Sequence, residues 1–62
     1  MFIEFSRILG DSEKTIFLNT EAVETIEEKE YQGKKVTEIR LSSSLTLMTH
    51  ESVASLKLRL EK

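Results

Sequence analysis

The chain has 62 residues, a formal net charge of -2 and no cysteine. Without cysteine there is neither a disulfide framework nor a thiolate metal site, and a reducing compartment fits, so we expect a cytoplasmic protein. The sequence contains no run of 18 apolar residues and no basic-then-apolar leader. Neither membrane insertion nor export is therefore expected.

Size predicts a single domain spanning residues 1–62. A chain this short buries only about 60% of the surface that its unfolded form exposes, so its stability margin is thin. Small folds add disulfides, a metal or a second copy of themselves, and this chain has one histidine and no cysteine. Of these three means of stabilising a small core, self-association is the one that the sequence leaves open, so we expect a homo-oligomer.

Charge is divided unevenly along the chain. Residues 1–30 carry eight acidic and three basic residues, whereas residues 31–62 carry three acidic and six basic ones. Such asymmetry can mark a nucleic-acid surface, but here the bases are scattered among acids and the overall balance is acidic. A nucleic-acid-binding regulator is therefore the second-ranked function, behind protein–protein interaction. Its candidate residues are Tyr31, Lys34, Lys35 and Arg40.

The first 19 residues predict a β-hairpin. The segment "MFIEFSRIL" is rich in β-forming residues and ends at Gly10-Asp11, a pair typical of a two-residue loop. With that loop, Ile3 faces Leu18 and Phe5 faces Ile16, which places apolar pairs on one face of the ribbon.

A second apolar set, Phe2, Ile8 and Phe17, falls on the opposite face of this hairpin. An open sheet would leave it exposed. Either the sheet curls so that both faces are partly covered, or the set meets another chain, and the sequence leaves both alternatives open. These three residues therefore belong to the candidate partner surface.

The next segment, "NTEAVETIEEKEYQGKK", predicts a turn and a second hairpin. Asn19 suits the cap of a single helical turn. A longer helix is disfavoured because the glutamates leave no apolar stripe wide enough to pack on a core. A turn at Gln32-Gly33 then opposes three residue pairs, Ile26 with Ile39, Glu30 with Lys35, and Glu24 with Leu41.

One face of this second hairpin is nearly all polar and is expected to be a solvated surface. It bears Thr25, Glu27, Lys29, Val36, Glu38 and Arg40. A three-residue loop at 42–44 would then pair Leu41 with Leu45 and Ile39 with Leu47. The predicted fold class is thus α+β, with a small antiparallel, curled, barrel-like sheet of five strands and one C-terminal helix.

The closing segment alternates leucines with charges, as a strand does, but its composition favours a helix. Thr49 suits the N-cap, Glu51 the first turn, and Lys57, Arg59 and Lys62 the last turns. On such a helix Val53, Leu56 and Leu60 cluster on one side, which we expect to cover the core. The other side carries Ala54 and Leu58, which complete the candidate partner surface.

The sequence offers little chemistry. His50 is the only histidine, and the adjacent "THES" residues at a predicted helix start point in different directions, so no catalytic triad forms locally. "EEKE" lacks the spacing of a calcium loop, and no phosphate-binding glycine motif is present. We expect no catalytic residue, no metal, no cofactor and no enzymatic activity.

The order of these features resembles the small flagellar proteins of the FlbD type. The resemblance rests on Phe17-Leu18-Asn19, on the segment 23–28 and on Glu51-Ser52-Val53 ahead of an apolar helix. The chain departs from that pattern where Thr20 replaces the usual proline and where "EYQGKK" replaces a tight turn. The resemblance implies a non-enzymatic cytoplasmic accessory protein of bacteria that is connected with motility. Independently of it, the surplus apolar surface on the first hairpin and at Ala54 and Leu58 predicts a protein–protein interaction module that binds itself and an unidentified protein partner.

Overall fold

A computed structural model describes residues 1–61 of the chain. Within them, β1 and β2 form a two-stranded antiparallel sheet, and β3, β4 and β5 form a three-stranded antiparallel sheet. One C-terminal helix follows, so the α+β class is confirmed. The elements are β1 (Phe2–Leu9), β2 (Ser12–Asn19), a 3-10 turn (Thr20–Ala22), β3 (Val23–Tyr31), β4 (Lys34–Leu41), β5 (Thr46–Thr49) and α1 (Val53–Leu60).

The prediction of one curled, barrel-like sheet of five strands is wrong. β1 lies against β5, but no backbone ladder joins them, so the strands form two sheets and no closed barrel. β5 has only four residues, and two-stranded ribbons such as β1–β2 twist more strongly than larger sheets. The two strands therefore meet through side chains.

The first hairpin has the predicted register. Ile3 faces Leu18 and Phe5 faces Ile16 across the ladder. Gly10 has a φ of 60°, and Asp11, the second loop residue, does not have a positive φ. A positive φ at the first central residue alone is the pattern of a type II′ turn, whose twist matches that of the strands.

The predicted cap after this hairpin is confirmed. The side-chain oxygen of Asn19 accepts a hydrogen bond from the backbone N–H of Glu21 at 3.1 Å, at the start of the 3-10 turn. Thr20 ties the same turn to the first strand, because both its N–H and its hydroxyl donate to the carbonyl oxygen of Met1.

The second hairpin keeps two of its three predicted pairs. Ile26 faces Ile39 and Glu30 faces Lys35, but Leu41 lies opposite Val23. The pairing of Glu24 with Leu41 is therefore wrong, because the register shifts between Val23 and Thr25. A bulge of this kind places two residues of one strand opposite one of the other.

The polar face of this hairpin is less solvated than predicted. Val36 lies on that face and is buried, with 2% of its surface exposed. His50, one residue after β5, lines the same depression as Val36 and so lies over this part of β4. The chain after β5 thus covers Val36, a position that strand alternation alone would leave exposed to water.

The third loop also has the predicted register. Leu41 donates its backbone N–H to the carbonyl of Leu45 at 2.8 Å, and Ile39 faces Leu47. Ser44 donates to the carbonyl of Leu41 at 2.9 Å and has a φ of 74°. This is the arrangement of a three-residue loop, a tight turn followed by a left-handed residue.

The closing segment is a helix, as its composition predicts, but Thr49 is not its N-cap. Ser52 caps it instead, since its hydroxyl accepts from the N–H of Ser55 at 3.1 Å. Thr49 ends β5 and is buried, and its hydroxyl oxygen accepts from the N–H of Glu51. Glu51 thus precedes the helix rather than opening it, and Lys62 lies outside the described residues.

The core joins both sheets to the helix. Leu56 is fully buried, and Leu60 and Val23 pack against the cluster from its margin. Of the helix side predicted to cover the core, Leu56 and Leu60 therefore do so, whereas Val53 is half-buried and does not belong to the cluster. The buried cluster consists of Phe5, Leu18, Ile39, Leu47 and Leu56.

Candidate interaction surfaces

Two phenylalanines of the first hairpin are exposed side by side. Phe2 lies opposite Asn19 and Phe17 lies opposite Glu4, so the two are diagonal neighbours on one face. Phe2 has 65% and Phe17 has 71% of its surface exposed. We call these two residues the aromatic pair. They are the part of the predicted hairpin surface that the fold leaves open.

Ile8 does not share this exposure. It shares the outer face of β1 with Phe2, yet only 7% of its surface is exposed. Ile8 lines a depression together with Tyr31 and His50, so its end of the hairpin lies against the second sheet and the chain after β5. Of this face, Ile8 is therefore covered by packing within the chain, whereas Phe2 and Phe17 stay uncovered.

The helix contributes a second apolar surface. Leu58 has 69% of its surface exposed and lines a shallow, mainly apolar groove with Met1, Ile3 and Arg59. We call these four residues the helix groove. Ala54 is also exposed and lies one helical turn before Leu58, on the same side of α1. The predicted exposed side of the helix therefore faces the same solvent region as the start of β1.

Glu51 fixes the helix that bears this groove. Its carboxylate accepts from Arg59 Nε at 3.1 Å, from Arg59 Nη2 at 2.9 Å and from the Ser55 hydroxyl at 2.8 Å. Its carbonyl oxygen accepts from the Thr37 hydroxyl at 2.7 Å, and its N–H donates to Thr49 Oγ1. One residue thus ties β4, β5 and both ends of α1 together.

A polar cleft of about 200 Å³ separates the tips of the first two hairpins. Asp11, Glu13, Tyr31, Lys34 and His50 contribute its titratable side chains. Within residues 1–61, His50 makes no hydrogen bond to a side-chain carboxylate or hydroxyl, and no three acidic or histidine residues gather into a metal-binding group.

The basic residues are not brought together. Lys34 and Tyr31 close the second hairpin as a cross-strand pair, whereas Arg40 lies six residues further along β4, about 20 Å away. Lys35 lies opposite Glu30 and borders a depression that Glu28 also lines. Carboxylates beside a lysine oppose the binding of phosphate, so the four residues do not form one cationic surface.

The open edges of the two sheets differ in character. Within the described part of the chain, β1, β2, β3 and β5 each have a hydrogen-bonded neighbour on one side only. β1 and β5 lie against each other, which leaves the outer edges of β2 and β3. β3 carries four glutamates, one lysine and the bulge near Val23. By contrast, the segment Thr15–Asn19 of β2 has neither a charged residue nor a proline, and its pairing is regular.

Comparisons with known proteins found no match for this chain. No protein-family model matches it, and neither a curated protein nor a solved structure does. Among residues 1–61, no helix combines the length and the apolar content needed to cross a bilayer.

Sequence reasoning missed three of the four members of the helix groove, Met1, Ile3 and Arg59. The groove joins residues more than 50 positions apart, and no local pattern records that the start of β1 lies beside the end of α1. The spacing of Glu51, Ser55 and Arg59 could have predicted part of this arrangement. Residues four apart on a helix are neighbours, and here a carboxylate, a hydroxyl and a guanidinium follow one another at that spacing.

Proposed function

We propose that this protein is a small, non-enzymatic protein–protein interaction module that associates with itself. The observation that carries the proposal is the exposure of Phe2, Phe17 and Leu58, each about two-thirds open to water. Large apolar side chains grouped on the surface of so small a domain mark interaction sites. Covering one such side chain contributes about 1.5 to 3 kcal/mol, which is large beside the stability of a marginal domain.

Sedimentation velocity over a wide concentration range tests self-association. We expect the wild-type chain to shift from monomer to a larger species as concentration rises. A variant that combines Phe17→Ser with Leu58→Glu should remain monomeric at the highest concentration while keeping its circular dichroism spectrum. A wild-type chain that sediments as a monomer even at millimolar concentration would refute the proposal.

We further propose bacterial motility as the process in which the module acts, on its resemblance to the FlbD type. The supporting residues are Phe17-Leu18-Asn19 and Glu51-Ser52-Val53. Deletion of the gene should reduce swimming in soft agar, and the wild-type gene should restore it. Complementation by a folded Leu58→Glu variant tells whether the helix groove is needed. Unimpaired swimming of the deletion strain would contradict the assignment to motility.

The nucleic-acid alternative receives less support. Arg40 lies far from Lys34 along β4, and Glu28 and Glu30 of the adjacent strand lie close to Lys35. A mobility-shift assay at low salt, with single- and double-stranded probes, tests it directly. We expect no retained probe, and steeply salt-dependent binding would restore this alternative.

A further inference from the structure

Within residues 1–61, β2 has the less protected of the two outer strand edges, those of β2 and β3. Natural proteins protect such edges with charged residues, prolines or bulges, because unpaired backbone groups invite pairing with another chain. β3 has both glutamates and a bulge, whereas the segment Thr15–Asn19 has none of these features. The edge of β2 is therefore the one that remains competent to pair.

The hairpin geometry identifies the backbone groups that point outward. In a two-residue hairpin the closing pair, here Leu9 and Ser12, is hydrogen-bonded, and every second pair along the ladder repeats this bonding. The hydrogen bond from Thr20 N–H to Met1 C=O belongs to the same series at the far end. The groups that point away from β1 are consequently those of Glu13, Thr15, Phe17 and Asn19.

We propose that β2 pairs antiparallel with β2 of a second copy, about a two-fold axis beside Phe17. This inference deepens the proposed self-association and rests on it. In this register Phe17 faces its own counterpart, and Thr15 faces Asn19 of the second copy. Both pairs use outward-pointing backbone groups from each chain, as an antiparallel ladder requires.

The side chains of β2 and of the aromatic pair favour a second copy of the chain as the partner that pairs with β2. The aromatic pair lies on one face of β1–β2, so the two-fold axis places both copies of Phe2 and Phe17 in one cluster. Aromatic pairs across strands stabilise a sheet beyond the area they bury. The segment that pairs carries no charge, whereas the same operation on β3 would oppose glutamates with glutamates.

The size of the interface indicates a weak dimer. An aromatic side chain buries roughly 150 to 250 Å² when fully covered, so the four phenylalanines remove several hundred Å² from water. Stable complexes usually bury about 1,200 Å² or more. The association is thus expected to be weak, and experiments need protein concentrations that cover a wide range.

Amide hydrogen exchange followed by nuclear magnetic resonance tests this pairing in the wild-type chain. The amides of Thr15 and Phe17 point to solvent in the monomer, so we expect their exchange to slow at least tenfold from low to high protein concentration. Glu28 and Glu30 provide the control, because by the same hairpin rule their amides point outward from β3. Their exchange should not depend on concentration.

Two variants give an independent readout by sedimentation. Thr15→Pro removes an outward N–H without touching the β1–β2 ladder, and Phe17→Lys brings two like charges face to face. Each should weaken the dimer at least tenfold, and Phe17→Lys serves if the proline variant fails to fold. Leu58→Glu alters the helix groove and no residue of β2, so it should leave the dimer unchanged.

The outcomes separate this inference from the proposal on which it rests. A wild-type chain that never dimerises overturns both. Dimerisation with rapid exchange at Thr15 and Phe17 overturns the β2 pairing alone and leaves self-association standing. The β2 pairing is likewise overturned if Leu58→Glu abolishes the dimer while Phe17→Lys does not.

Discussion

Glu51 and Arg59 form a two-pronged ion pair, with Nε to Oε2 at 3.1 Å and Nη2 to Oε1 at 2.9 Å. The pair joins the residue that precedes the helix to its last turn. Because Arg59 also lines the helix groove beside Leu58, the same contact holds one wall of that groove in place. A structural ion pair and a candidate binding surface thus share a side chain.

A double-mutant cycle with Glu51→Gln and Arg59→Gln should show a coupling of about 1 kcal/mol, near the upper end for partly exposed pairs, because the guanidinium binds both carboxylate oxygens. The measurement is urea unfolding of the four proteins at low and high salt. Lys29 and Glu38 provide the matched control, since a single contact of 3.1 Å joins them. We expect a smaller coupling there, and equal couplings would contradict the role given to the paired contacts.

The two leucines of the closing segment should differ sharply on truncation. Leu56→Ala removes a fully buried side chain and should cost about 2 to 5 kcal/mol, enough to unfold much of a marginal domain. Leu58→Ala removes an exposed one and should change stability by at most about 0.5 kcal/mol. Thermal and urea unfolding of dilute protein, where association is absent, measure both. Similar losses at the two positions would contradict the helical arrangement.

Local rules predicted much of the fold, since loop length fixes the register of a hairpin. Gly10-Asp11 and Gln32-Gly33 each determined their neighbours' pairing, and helix propensity outweighed the leucine alternation after Ser55. The N-cap was assigned three residues early, because Thr49 and Ser52 are both good caps and only the burial of Thr49 in β5 distinguishes them.

The arrangement of the two sheets was beyond local rules. Whether β1 extends a ladder to β5 depends on the twist of a two-stranded ribbon and on side-chain packing between distant segments. The same limit applies to Ile8 and Val36, whose burial depends on where the chain passes after β5. The exposure of Phe2 and Phe17 also depends on that packing. The sequence could therefore name the candidate surface residues but could not show which of them stay exposed.

The turn at Gln32-Gly33 offers a stabilising substitution. Both residues have positive φ, 53° at Gln32 and 78° at Gly33, which is the type I′ pattern that favours Asn-Gly. Gln32→Asn should therefore raise the free energy of unfolding by about 0.5 kcal/mol, since asparagine tolerates the left-handed region better. Gly33→Ala should lower it by about 1 kcal/mol or more for the opposite reason. Urea unfolding compares the two, and a destabilised Gln32→Asn protein would contradict this turn assignment.

Thr37 connects the second sheet to the approach to the helix, and its hydroxyl can be removed with little change in shape. Thr37 is buried, and its Oγ1 donates to the Glu51 carbonyl oxygen at 2.7 Å. Thr37→Val leaves that partly buried acceptor unpaired and should cost about 1 to 2 kcal/mol. Thr46→Val, at an exposed position of the adjacent strand, should be nearly neutral.

Unfolding in urea measures the cost, and hydrogen exchange of the α1 amides shows where it falls. Because the Thr37 bond holds the segment that carries Glu51, its loss should speed exchange in the first helical turn more than in the β1–β2 ladder. Equal stability of the Thr37→Val and Thr46→Val proteins would mean that the ion pair and the Leu56 contact alone position the helix. In that case the helix groove would owe its shape to packing rather than to this hydrogen bond.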